Sequence, residues 1–413
     1  MPPQQPPTSA LSLLVWLESR GARFPGAQPV HVPGMGTGLV ATDALPAEAE
    51  VLFVPRDVWL TRKTVHTRFR PVLDAVQAAG VFSHSMSRLA LLLALEARSD
   101  ASFFRPYLSR IGDPTVPYGL DDDERGALAG LPMERWIDEQ AALTETECAA
   151  IDRVLRALPT PLDLDLPRWR WAYGHVMQRT FSVDVDDEEV WVLVPGMDLC
   201  NHADDPNACF YAEDDGWMLE TVRPVESGEQ ITIRYGRAKT SADLLLYYGF
   251  VTPENPHDRV RLSLDLPEDD PDREAKTEAL DVLGLESSAL VGPDGDVPSR
   301  FLHAAILWGL DSEAFRADVP DVASPERAVV ALEAIASALA RDAATLDGTT
   351  GPATGWVPTF AAYRTNVSRS MARAASRIRS RAEAIRSAGW SPADRVIDDP
   401  DGRFGLATVT VRP

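Results

Sequence analysis

Residues Val194–Val251 run VPGMDLCNHADDPNACFYAEDDGWMLETVRPVESGEQITIRYGRAKTSADLLLYYGFV, and the order of elements in this stretch organises the rest of the chain. Asp198, Asn201 and His202 follow an apolar strand, Val190–Val194, and a Pro195-Gly196 turn. Phe210 with Tyr211, then Trp217–Val222, then Gln230–Tyr235 have the aromatic and β-branched content of short strands, and Gly228-Glu229 makes a turn between the last two. Lys239–Tyr248 has the pattern of an amphipathic helix, because Leu244, Leu245 and Tyr248 share a face. Taken one at a time these features are ordinary. An Asn-His pair forms turns, and a tyrosine at a strand end packs and finds one partner for its hydroxyl. Cys200, with no base beside it, reads as a small core residue.

Upstream, Leu11–Arg20 reads as a helix, with Ser9 placed to cap it and Gly21 to end it. VPGMGTGLVATD and VLFVPRDVWLT then contain short β-type runs. Gly34, Gly36 and Gly38 do not make a dinucleotide fingerprint: the spacing is G-x-G-x-G and a strand follows it, where the fingerprint needs a helix. A tight turn accounts for them locally. From Ser85 to Arg170 the pattern is helical. SMSRLALLLALEARS is apolar nearly all round, as in a buried helix. Asp121–Glu124 reads as a solvated helix start, and Met133–Leu158 and Pro167–Phe181 as further helices. Arg179 lies near the end of the last of these. Locally it is a salt-bridge residue or a partner of the helix C-terminus.

As an ordered set, the glycine loop, Arg179, Asn201-His202, the GEQ strand ending in Tyr235 and the closing Tyr248-Gly249-Phe250 resemble the SET-domain methyltransferases, in the branch of Rubisco large-subunit methyltransferase and its relatives. The Ser102-to-Leu108 stretch resembles a landmark of the same branch. The resemblance covers Leu11–Val251 and extends beyond it only in layout. It implies an α+β fold: a SET-domain β-sheet core with a helical insertion, followed by a mainly helical C-terminal domain. The divisions it implies are a flexible arm at 1–10, the two parts of the SET core at 11–84 and 176–256, the insertion at 85–175 and a helical substrate-binding-like domain at 257–413.

The function this resemblance implies is S-adenosylmethionine-dependent methylation of a lysine amine on a protein. The alternatives are methylation of a protein histidine and a catalytically idle SET fold used for binding. By the same resemblance Met35, Gly36, Thr37, Gly38, Arg179, Asn201 and His202 bind the methyl donor, with Arg179 on its carboxylate. Tyr235 is the catalytic residue, orienting the amine and the methyl. Phe181, Asp198, Phe210 and Tyr248 are expected at the substrate, and the apolar character of Phe210 is what favours lysine. Two departures from the branch stand out: Lys239-Thr240-Ser241 where Lys-Ser-Asn is common, with a serine left to cap the helix, and the loop Asp204-Asp205-Pro206.

The bulk numbers agree with a protein substrate. The chain has 413 residues, a formal net charge of −22 and a pI of about 4.7, which disfavours nucleic acid and anionic membranes and tolerates basic protein segments. Three cysteines are too few for a disulfide framework or a four-thiolate zinc site, and no pair of histidines has ligand spacing, so no metal is expected. The start has neither a basic segment nor an apolar run, so a cytoplasmic protein is expected; a monomer is expected as well. All but three of the 40 basic residues are arginine, which points to a GC-rich, bacterial source. After Pro256 come a strand at Arg259–Leu266, helices near Asp272–Leu283, Pro298–Trp308 and Pro325–Ala343, an arginine-rich helix at Phe360–Ser387 and a terminal strand at Phe404–Val411. The apolar stripe of the long helix is Val367, Met371, Ala374, Ile378, Ala382 and Ile385. Its arginines are expected to pair with the chain's own acidic surface.

Overall fold

The structure is a computed structural model and describes residues 8–61, 64, 67–185, 188–265, 268–316, 324–346, 355–388 and 408–411. Most of the arm expected at 1–10 lies outside the described residues, as does the first half of the expected terminal strand. The chain divides into two compact units. One comprises Met1–Thr115 and Gln140–Arg237, the other Val116–Glu139 and Ala238–Pro413.

The first unit is built on three small sheets. Strands β1 (Ala27–Val32) and β2 (Gly36–Ala41) form a hairpin, β3 is Glu50–Pro55, β4 Leu60–Thr61, β5 Thr180–Val185, β6 Glu188–Leu193, β7 Asn201–His202, β8 Ala208–Ala212, β9 Gly216–Thr221 and β10 Gln230–Ile233. The first sheet has the order β1-β2-β10-β7, the second β3-β9-β8 and the third β4-β6-β5. β10 is the hinge of the design. It pairs antiparallel with β2 through Gln230↔Val40 and Ile231↔Leu39. On its other edge it runs parallel to β7, with Thr232↔Asn201 and Ile233↔His202. That parallel pairing carries Asn201 and His202 into one sheet with the glycine hairpin.

The buried faces explain the arrangement. Leu39, Leu52, Val54, Leu60, Val192, Leu219, Ile231 and Ile233 point inward from the strands. The helix Ser87–Ala97 is buried all round, from Leu89 to Leu95, which is where an all-apolar helix must go. The helix Leu166–Arg179 begins at Asp165, whose side chain accepts from Arg168 N–H at 2.8 Å, with a proline in its first turn. It stops at Thr180, which is extended and opens β5. Arg179 is therefore the last residue of the helix.

The second unit has a three-stranded sheet made of β11 (Val260–Leu264), β12 (Ser288–Val291) and β13 (Thr408–Val411), in the order β12-β11-β13. Around it lie the helices Arg273–Leu283, Ser299–Trp308, Pro325–Leu346 and Val357–Ala388. All six residues of the expected stripe on the long helix are buried. Two of its arginines make the expected acidic pairs, Arg373 with Glu254 at 2.7 Å and Arg386 with Glu333, whereas Arg364 donates to the carbonyls of Leu346 and Ala129.

Two local expectations are corrected in this unit. Asp121 and Glu124 form a reciprocal capping box, but Glu124 is only 9% exposed and also accepts Trp356 N–H at 2.9 Å, so this helix start is not simply solvated. The helix expected over Lys239–Tyr248 is capped by Thr240 and Asp243, not by Ser241. It makes a single α-turn, Ser241–Asp243, and then a π-turn, Leu244–Tyr248, closed by Gly249 at φ +77°. Ser241 instead donates its N–H and hydroxyl to the buried Asp258 carboxylate, at 2.6 and 2.9 Å. That pull on the first turn accompanies the wider winding after it. Periodicity alone cannot separate an α from a π turn.

Candidate active site

The polar cluster of the first unit starts at the β1–β2 hairpin. The register Val32↔Gly36 leaves Pro33-Gly34-Met35 as its loop. Gly34 and Gly36 have φ of +76° and +79°, a region that side chains rarely adopt. Gly38 is needed for a different reason. A Cβ there would meet Asn201 Nδ2 at 2.8 Å, Gln230 Oε1 at 2.9 Å and Val32 Cγ2 at 2.9 Å. The backbone of β2 thus comes directly against the Asn201 amide, which donates to Gln230 Oε1 at 3.3 Å. Gln230 also reaches Met35, its Nε2 lying 3.9 Å from the sulfur. Thr37 accepts a hydrogen bond from Arg110 at 2.7 Å.

Arg179 enters from its helix terminus. It donates to Asp198 Oδ2 at 3.1 Å and to the Asp198 carbonyl at 3.3 Å. The Asp198 side chain is 1% exposed and that of Arg179 25% exposed. Asp198 also accepts from the Tyr107 hydroxyl at 2.8 Å and from Gly196 N–H at 3.2 Å. Burial is the largest influence and opposes the charge on Arg179, but Asp198 together with Tyr107 and Tyr235 outweighs it and holds the guanidinium above its ordinary value. Burial, and then the Asp198 charge, push the Tyr107 phenol well above its ordinary range, so it remains a donor. On the other side Arg179 Nε donates to His175 Nδ1 at 3.3 Å, so His175 keeps its proton on Nε2, which faces the Gly112 carbonyl at 3.1 Å. Burial, with the Arg179 charge second, pulls this imidazole down to about 3. Arg179 therefore has a carboxylate on one side and a neutral ring on the other.

His202 and Tyr235 form a second pair. His202 Nδ1 accepts from Tyr235 N–H at 3.2 Å, which leaves the proton on Nε2, directed at Asp204 Oδ1 at 3.2 Å. The two rings lie 5.3 Å apart. The Tyr235 hydroxyl donates to the Cys200 carbonyl at 2.8 Å, so this phenol sits against the backbone just before Asn201. Asn207 ties the segment down. Its amide donates to Gln230 O at 2.8 Å and its carbonyl accepts from Thr232 N–H at 2.8 Å. Phe181 and Phe210 are half-buried, 5.2 Å apart and edge to face, and both pack on Trp217, at 5.3 and 5.6 Å.

The residues singled out in the sequence thus gather as Gly38 with Asn201, Arg179 with Asp198, His202 with Tyr235 and Phe181 with Phe210. Asp198, expected beside a substrate, has its carboxylate occupied by Tyr107, Arg179 and a backbone N–H. Tyr248 belongs to the second unit. There it ends the π-turn, 6.3 Å from Phe250, and burial, followed by the charge of Asp243, pushes its hydroxyl up to about 12. Sequence reasoning missed Arg110, His175, Asn207, Trp217 and Gln230 as parts of this cluster. Gln230 sits in the GEQ segment that had been singled out, so its place was available. Arg110 had no signal: it stands alone after the four-residue helix Arg105–Leu108.

Known proteins share parts of this chain's sequence and fold. Residues 36–236 match the family model described as SET domain. The human protein named actin-histidine N-methyltransferase is 28% identical over 290 residues, 67% of this chain and 48% of its own length. The chain spans about half the length of the curated relatives it matches. A crystal structure of the SET domain of LSMT bound to lysine and AdoHcy superposes with a TM-score of 0.68 at 20% identity, covering 92% of each chain. Rubisco LSMT bound to AdoMet gives 0.67 at 19% identity, over 92% of this chain and 94% of that one. The sequence relatives and the structural ones differ, so the likeness is to this wider group of SET proteins and not to the Rubisco branch specifically.

The bacterial source inferred from the arginine bias is corrected: the relatives found are eukaryotic, from mammals and a frog. Arginine replaces lysine wherever base composition or selection favours it, so the bias does not report lineage. The described residues contain no helix long and apolar enough to cross a membrane. This is an α+β chain built on a SET core, with helical insertions and a mainly helical C-terminal region after it.

Proposed function

We propose that the chain is an S-adenosylmethionine-dependent protein N-methyltransferase and that its target is a histidine side chain. The observation that carries the donor site is the close approach of the Gly38 backbone to the Asn201 amide, beside a glycine hairpin and a carboxylate-anchored Arg179. A Cβ at position 38 would fill this cradle. The Met35–Gly38 hairpin, Asn201 and His202 would hold the nucleoside and amino-acid ends of the donor, and Arg179 its carboxylate, since a guanidinium can offer two parallel N–H groups. Asp198 orients that guanidinium from behind. When bound, S-adenosylmethionine supplies a methyl group on a positive sulfur, and its transfer breaks the S–C bond as an N–C bond forms. Tyr235 would align the acceptor nitrogen, its hydroxyl now resting on the Cys200 carbonyl. Phe181 and Phe210, backed by Trp217, would exclude water beside it.

Histidine is preferred to the lysine expected from the sequence because the relatives with the greater identity are named for histidine. The chemistry differs in one respect. An imidazole with a pKa of about 6.5 already has a free lone pair at neutral pH, whereas a lysine amine near ~10.4 must first lose a proton. The aromatic wall of Phe181 and Phe210 supports lysine as the second reading, because an apolar slot suits an aliphatic chain. We further assign the holding of the protein substrate to the second unit, which carries Tyr248.

The test is transfer of a labelled methyl group from S-adenosylmethionine into cellular protein, followed by acid hydrolysis and separation of the methylated amino acids. Methylhistidine is expected. Methyllysine alone would overturn the target, and donor binding without any transfer would leave a binding module.

A further inference from the structure

The cluster around Arg179 has an unbalanced charge. Two guanidiniums, Arg110 and Arg179, share the field of one buried carboxylate, Asp198. Arg179 has both its ion pair and the His175 nitrogen. Arg110 has neither. Its Nη2 donates to the neutral Thr37 hydroxyl at 2.7 Å, and its Nε is buried with no hydrogen-bond partner among the described residues. A guanidinium cannot shed its proton at physiological pH, so the cost of a buried, unpartnered N–H is removed only by an acceptor. Burial, and then repulsion by Arg179, both pull the Arg110 guanidinium below its ordinary value, and Asp198 opposes them.

The position of this side chain says which acceptor fits. Thr37 lies between Gly36 and Gly38, on the strand whose backbone abuts Asn201. The charge of Arg110 is therefore brought to the glycine hairpin, near enough to Arg179 and Asp198 to feel both charges. The inference rests on the donor site proposed above. S-adenosylmethionine has a single anionic group, its α-carboxylate, and the rest of the molecule is neutral or positive. We propose that Arg110 is a second carboxylate-binding residue of the donor site, acting with Arg179, and that Thr37 positions it by accepting from Nη2.

The discriminating experiment uses two nucleosides that differ at the carboxylate end. S-adenosylhomocysteine carries the amino acid; 5′-methylthioadenosine lacks it. Titration calorimetry on the full chain and on Arg110→Met should show about a tenfold or greater loss of S-adenosylhomocysteine affinity, the size expected for a lost hydrogen bond to a charged group. The affinity for 5′-methylthioadenosine should stay within about twofold, because it has no carboxylate. The parent should also lose S-adenosylhomocysteine affinity with added salt more steeply than 5′-methylthioadenosine affinity. Arg110→Lys keeps the charge and should recover part of the loss, and it carries the comparison if Arg110→Met melts early. Unchanged S-adenosylhomocysteine binding, or an equal loss for both nucleosides, overturns the inference. A parent chain that binds neither nucleoside overturns the donor site itself, which is a separate result.

Discussion

Asp198 in the first unit and Asp258 in the second each carry a buried carboxylate, and the two are handled differently. In the first unit Asp198 is paired with Arg179 and takes a phenol hydroxyl as well. In the second unit Asp258, 1% exposed, is held by the Ser241 amide and hydroxyl and, at 3.5 Å, by the Ser370 hydroxyl. Burial outweighs those hydrogen bonds and pushes the Asp258 carboxyl up to about 7. Asp198 holds the Arg179 cation, which in the proposed donor site would meet the carboxylate of the donor. Asp258 ties the turn before Tyr248 to the long helix, with Asn366 donating to Ser241 at 3.3 Å and to the Thr252 carbonyl at 2.7 Å.

Tyr235→Phe should have the largest effect, and on rate alone. We expect turnover to fall roughly a hundredfold, the scale of a misplaced reacting group, with donor affinity within about twofold of the parent. Single-turnover kinetics beside calorimetry measures both. If neither changes, Tyr235 is a packing residue on the Cys200 carbonyl.

A matched pair of core substitutions tests the contrast between the units. Asp198→Ala leaves Arg179 without its carboxylate. Breaking a buried pair costs about 3–5 kcal/mol, and the partial exposure of Arg179 places this one at the lower end. Ile378→Ala, in the buried stripe of the long helix, should cost about 2–5 kcal/mol. Denaturant melts would show similar losses, yet only Asp198→Ala should weaken donor binding. Equal effects on the donor would mean that the two units do not divide the work in this way.

Smaller, and opposite in sign, are the proton linkages. His175 has a folded pKa of about 3 against ~6.5 unfolded. Its contribution is present above the unfolded value and is lost as pH falls through the folded one. Asp258 is raised to about 7 from ~3.9 unfolded. Its contribution is fully present below the unfolded value and is lost as pH rises through the folded one. The first unit should therefore weaken on acidification below about pH 6.5, and the second on raising the pH from about 4 towards 7. Hydrogen exchange resolved by segment would show the opposite slopes, and Asp258→Asn should flatten the second. Parallel slopes in both units would contradict these assignments.

How much could be read in advance also differs between the units. In the first, an ordered set of short motifs singles out Arg179, Asn201, His202 and Tyr235, whose order is unusual even though each is common, and the fold gathers them into one polar cluster. Their partners were not legible. The parallel pairing of β7 with β10 joins residues about thirty positions apart, and nothing near Arg110 in the chain indicates that it lies by Arg179; His175, four residues before Arg179 on an expected helix, was legible by spacing but was not used. In the second unit the helices were legible from apolar spacing, and the stripe from Val367 to Ile385 is buried as expected. The π-turn at Leu244–Tyr248 and the inward turn of Glu124 were not, because their partners are distant in the chain: Asp258 accepts from Ser241, and Trp356 N–H donates to Glu124.

The central claim is that the β2–β10–β7 sheet holds the methyl donor through Asn201, and calorimetric titration of S-adenosylmethionine tests it most directly. The full chain should bind the donor, and Asn201→Ala should bind it roughly tenfold more weakly or worse, since a buried polar group left unpaired costs about 1–3 kcal/mol. A parent chain that takes up no donor, or an Asn201→Ala chain that binds it as the parent does, would contradict the account.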